Sequence, residues 1–89
     1  MAIQWETKEE TKFKKQYKRL DSQIKQRVSQ AIQELVKSEN PSDLGVYKPD
    51  MRVFAYNVGK YRILYNIRYS ENKIDLHRVC DHKSVYNKD

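Results

Sequence analysis

Arg62, His82 and Tyr86 are the residues of this 89-residue chain whose types and surroundings suggest chemistry. Arg62 lies in the run Tyr61-Arg62-Ile63-Leu64-Tyr65-Asn66-Ile67-Arg68-Tyr69, between large residues that read as a sheet interior. A guanidinium forked onto a phosphate stabilises the charge that builds during phosphoryl transfer. The plainer role for Arg62 is a cross-strand ion pair with Asp75 or a neighbouring acid. His82 stands between Asp81 and Lys83. Histidine is the usual proton carrier near neutral pH, although a lone surface histidine more often has no role. Tyr86 offers a phenol that nearby cations make easier to ionise; it fits equally well as a staple for the C-terminal segment. His77 falls inside a strand-like run and reads as a histidine packed on a sheet face.

Much other chemistry is missing. There is no glycine-rich phosphate loop, no HExxH and no Cys/His metal spacing, so neither a metal nor a cofactor is expected. The single cysteine, Cys80, excludes an internal disulfide and fits a reducing compartment. The N-terminal MAIQWETKEE has no apolar stretch of the signal-peptide kind, and no window approaches the roughly 18 apolar residues of a membrane span. A soluble, cytoplasmic protein with no membrane partner is expected. Eighteen Lys and Arg against twelve Asp and Glu give a net charge of +6, which favours polyanionic partners such as RNA or the ribosome. An acidic protein partner fits the same charge.

These residues must be positioned by a single small domain spanning 1–89, with a thin core. In Ala2 to Glu6, Ile3 and Trp5 alternate with polar residues, which predicts a short strand. Thr7-Lys8-Glu9-Glu10 has the form of a capping box, so a first helix is expected from there, with Phe13, Tyr17 and Leu20 on one stripe. Asp21 or Ser22 caps a second helix carrying Ile24, Val28, Ile32, Leu35 and Val36 at helical spacing, and Asn40-Pro41 ends it. Residues 41–51 read as a loop. Three strands follow, 53–58, 61–69 and 74–80, with turns at Gly59-Lys60 and Ser70 to Lys73. The fold class is α+β: an N-terminal strand and a helical hairpin packed on one face of an antiparallel sheet. Tyr61, Ile63, Tyr65, Ile24, Val28 and Leu35 should lie in the core, and Arg62 and Asn66 on the uncovered face, a plausible seat for RNA.

Val58-Gly59-Lys60-Tyr61-Arg62-Ile63-Leu64-Tyr65 resembles the V-G-x-Y-R-x-x-Y hairpin of RelE/ParE toxins, and Val79-Cys80-Asp81-His82-Lys83-Ser84-Val85-Tyr86 resembles that family's closing V-G-H-R-x-x-V-Y segment. The helical hairpin with Leu20-Asp21 at its bend is similar too, so the likeness covers nearly the whole chain. It implies a microbial-ribonuclease-like fold and an antitoxin partner that neutralises the toxin in a toxin–antitoxin hetero-oligomer. It also implies that the chain is a metal-independent endoribonuclease acting on mRNA, commonly at the ribosome. By position the resemblance assigns function to Arg62, His82 and Tyr86, and RNA contact to Arg52 and Lys83. On that reading Arg62 is the phosphate clamp, while His82 and Tyr86 share the proton transfers of an attack by the RNA 2′-hydroxyl. Departures from the pattern are Cys80 for the usual glycine, Asp81-His82-Lys83 where His-Arg-Arg is common, and Ala55 and Asn57 where basic residues often stand. They keep two other readings open: an inhibitor of DNA gyrase of the ParE type without nuclease activity, and a weakened, non-toxic binding module.

Overall fold

The computed structural model describes residues 5–81. Asp21 starts the longer helix, its carboxylate accepting from the Ile24 amide at 2.9 Å; such a cap stabilises a helix by about 1 kcal/mol. That helix, α2 (Ser22–Lys37), buries Val28, Ala31 and Leu35 at spacings of three and four. It ends before Asn40-Pro41, where a 3₁₀ turn (Pro41–Asp43) takes over. Ahead of it, α1 (Thr11–Lys18) buries Phe13, whose ring stacks on Tyr17 with centroids 6.1 Å apart. The Tyr17 hydroxyl is 2.7 Å from Ser29 Oγ of α2, which ties the two helices together.

The sheet has five strands: β1 (Glu6–Glu9), β2 (Val46–Lys48), β3 (Val53–Val58), β4 (Tyr61–Arg68) and β5 (Lys73–Asp81), in spatial order β1-β5-β4-β3-β2. β2 to β5 pair antiparallel, but β1 runs parallel to β5, so the sheet is mixed rather than wholly antiparallel. Both helices pack on the face carrying Ile63, Tyr65, Ile74, Leu76 and Val79. Trp5 closes the end of this core, its indole donating to the Ser38 carbonyl at 3.0 Å.

Four expectations are corrected by the structure. The capping-box residues 7–10 do not open a helix: Thr7 to Glu9 belong to β1, and α1 starts at Thr11 behind Glu10, which makes no side-chain cap. The Glu6 amide donates to Asn72 O and the Glu10 amide to Leu76 O, both at 3.0 Å. A ladder along β5 thus replaces a local cap worth about 1 kcal/mol. Strand formation was expected over residues 2–6, of which 2–4 lie outside the described residues; the observed strand begins at Glu6. All four β1 side chains are exposed, as suits a charged edge strand, so no alternation marks them. Residues 41–51 are not all loop, because Val46–Lys48 form the opposite edge strand. Among the expected core residues, Ile63, Tyr65, Val28 and Leu35 are fully buried, whereas Tyr61 and Ile24 are only half-buried.

Tyr65 locks the loop between α2 and β2. Its hydroxyl donates to the Pro41 carbonyl at 2.7 Å, and a Cβ added at Gly45 would sit 2.5 Å from the Tyr65 hydroxyl oxygen and 2.9 Å from the Ala55 carbonyl. Gly45→Ala must therefore push backbone aside. It is expected to lower stability by about 1–3 kcal/mol, read from the midpoint of urea unfolding.

Burial pushes the Tyr65 phenol up to about 12, and the hydrogen bond to Glu34 does the same for Tyr56. An unfolded tyrosine loses its proton near pH 10, so between pH 10 and 12 the folded state holds protons that the unfolded state has lost. Stability then falls as pH rises. For Tyr65 the loss is on the order of 2–3 kcal/mol. Tyr65→Phe should flatten that alkaline slope in urea unfolding while lowering stability at pH 7 through the orphaned Pro41 carbonyl.

Candidate nucleic-acid interface

Gly59 sets the geometry around Arg62. Its φ of +60° fits a two-residue hairpin turn with glycine first, and Val58 pairs with Tyr61 across it. The next pair is Asn57 opposite Arg62. The register carries Arg62, Leu64, Asn66 and Arg68 on the sheet face away from the helices, since Ile63 and Tyr65 between them lie in the core. Arg62 thus faces the expected side, but it is not exposed there: only 5% of it is accessible. Its Nε donates to Asn57 Oδ1 at 3.1 Å, which fixes the plane of the guanidinium.

Asp75, weighed as a partner for Arg62, belongs instead to Arg68, whose Nε donates to Asp75 Oδ2 at 2.7 Å. That hydrogen bond and the charge of Asp75 push the Arg68 guanidinium above its ordinary range. Arg52 is exposed in the turn before β3, at a left-handed φ of +57°. Its carbonyl accepts from Asn66 Nδ2 at 3.1 Å. It lies five residue steps from Asn57 along β3, so it stands roughly 17 Å from the Arg62 end by strand rise. Arg52 and Arg62 are therefore not brought together. His82, Lys83 and Tyr86 lie outside the described residues.

β5 brings Arg78 to this face and places His77 where strand alternation does not. Leu64 pairs with Arg78 and Tyr65 with Leu76, so His77 is the extra residue of a β-bulge. The bulge turns His77 toward the β1–α1 junction, where its Nδ1 meets Glu10 Oε2 at 2.5 Å. His77 is thus a tethered histidine at an irregular strand position, rather than one merely packed on the sheet. Arg78 is exposed on the same face as Arg62. Asn57 was legible in principle, because a two-residue turn at Gly59-Lys60 places it opposite Arg62; the bulge has no such signature. Among the described residues, no group of three or more His, Cys, Asp or Glu is arranged to hold a metal ion, and no helix is long and apolar enough to cross a membrane.

Residues 3–86 match the family model for the ParE toxin of type II toxin–antitoxin systems. The chain belongs to the RelE/ParE family of toxins. No curated protein matches it. This RelE/ParE toxin is similar in fold to solved structures at low identity. The isolated RelE toxin of Escherichia coli superposes with a TM-score of 0.73 at 15% identity, covering 94% of this chain and 93% of that one. A chain of the RelBE2 toxin–antitoxin complex of Mycobacterium tuberculosis gives 0.70 at 19% identity, covering 90% and 100%. The E. coli RelBE complex gives 0.72 at 14%, covering 86% and 95%. Two helices on a mixed five-stranded sheet are thus shared with RelE structures, which confirms the expected α+β class.

Proposed function

We propose that this toxin is a metal-independent endoribonuclease that cuts mRNA on the ribosome in the cytoplasm, and that a cognate antitoxin silences it in a hetero-oligomer. The observation that carries the reading is Arg62, held on the helix-free sheet face by Asn57. A cation fixed before the reaction and aimed at developing charge stabilises a transition state more effectively than one that must reorganise. The RNA 2′-hydroxyl attacks the adjacent phosphorus and gives its proton to a base. The 5′-oxygen leaves as it takes a proton from an acid. The products are a 2′,3′-cyclic phosphate and a 5′-hydroxyl. His82 and Tyr86 share the two proton transfers, Arg62 holds the phosphate, and Lys83 contacts the RNA backbone. Arg52, at the far end of β3, touches the strand well away from the cut. The net charge of +6 supports a polyanionic substrate, and the RelBE relatives solved as toxin–antitoxin complexes support the antitoxin partner.

A second reading has its own observations. The matching family model is that of ParE, and the strand beside Arg62 presents Ala55 and Asn57 rather than cations, which suits an inhibitor of DNA gyrase without nuclease activity. Brief expression without the partner separates the two. Transcript ends and chromosomal breaks are mapped from the same culture. The ribonuclease reading expects new mRNA ends within minutes and no DNA breaks; intact transcripts with a rising DNA-damage response contradict it. Normal growth with both polymers intact leaves only the non-toxic binding module.

A further inference from the structure

Where the helix-free face meets the start of α1, the surface is hollowed into a pocket of about 550 Å³. Its apolar side is made by Met51, Val53 and Leu64, and two cations, Lys12 and Arg78, stand at its edge. All three apolar residues come from different segments: the turn after β2, the start of β3 and the middle of β4. Leu64 follows Arg62 by two residues on the same face, roughly 7 Å along the strand. Glu10 and His77 complete the wall. Their contact turns the Glu10 carboxylate toward His77 and ties the N-cap of α1 to β5.

We propose that this pocket is a nucleotide subsite, receiving one unstacked base of a single-stranded RNA against Met51, Val53 and Leu64, with Lys12 and Arg78 on the flanking phosphate. The inference rests on the ribonuclease reading for its substrate class. Its chemistry is that of single-strand recognition: bases splayed out of a stack bury their faces on apolar or aromatic surface, while cations follow the backbone. Two cations over an apolar floor match one nucleotide, an apolar face joined to an anion. The spacing from Leu64 to Arg62 puts the base next to the phosphate that Arg62 clamps, so the pocket selects which nucleotide flanks the cut.

The test measures binding to RNA that cannot be cleaved, which separates it from catalysis. Fluorescent octamers with 2′-O-methyl sugars, one of each base, are titrated against the full chain beside an octamer of abasic units carrying the same charge. The wild type should prefer at least one base-bearing octamer over the abasic one by about fivefold or more. Met51→Asp, in an exposed turn, should erase that preference. Arg78→Ala and Lys12→Ala should weaken all octamers alike and lower the slope of log affinity against log salt by about 0.7 each. Equal binding of base-bearing and abasic octamers overturns the proposal, as do unchanged salt slopes in both cation variants or no binding at all. Binding as expected by a protein that never cuts RNA leaves the subsite standing and removes the nuclease reading. Cleavage that persists while Met51→Asp leaves the octamer preference intact removes the subsite alone.

Discussion

Arg62→Ala is expected to slow transcript cleavage by about 10²–10³, with a much smaller effect on RNA affinity. The asymmetry follows from when the charge appears. The phosphate carries one negative charge in the bound RNA and more in the transition state, so a fixed guanidinium gains most at the top of the barrier and its loss falls on turnover. Arg62 is nearly buried and bonded to Asn57, so its removal also touches the fold. Circular dichroism and urea unfolding must first show that the variant is native. Arg62→Lys provides the companion measurement: it keeps the charge but loses the planar fork. It should recover only part of the rate, whereas full recovery would mean that Arg62 acts as a point charge. Single-turnover cleavage of a defined mRNA on stalled ribosomes reads the chemical step directly.

Removing a proton carrier is expected to cost about 10²–10⁴ in rate. His82→Ala and Tyr86→Phe are the informative changes, since each deletes one titratable group. If the two residues divide the base and acid roles, each loss should remove a different limb of the pH–rate profile. The double variant should then be little slower than the worse single one, because groups that act in one step are far from additive. A pH profile unchanged by either substitution would mean that neither residue moves a proton.

How much of this was legible in the sequence depends on whether the determining force was local. α2 was readable because Asp21 caps it and Val28, Leu35 and Val36 repeat at helical spacing. β4 was readable because its alternation marks the core face. β1 was misplaced because its residues Glu6 to Glu9 are all exposed and are held by a ladder to β5, sixty-odd residues away, which no local pattern records. β2 is three residues long inside a segment holding both prolines and Gly45, so loop composition hid it. At the candidate site, the facing of Arg62 followed from alternation, but its burial and its bond to Asn57 are tertiary facts. Arg78 and the Glu10–His77 contact depend on a bulge that resets the phase of β5 by one residue. The pocket needs Met51, Val53 and Leu64 brought together from three segments.

The chemistry of the cut ends tests the central claim most directly. Fragments from brief expression of the wild type are sequenced before and after enzymatic opening of cyclic phosphates and phosphorylation of free 5′-hydroxyls. Attack by the neighbouring 2′-hydroxyl predicts 2′,3′-cyclic phosphate on every upstream fragment and 5′-hydroxyl on every downstream one, both lost with Arg62→Ala. Fragments bearing 5′-phosphates, or transcripts that stay whole while growth stops, would contradict it.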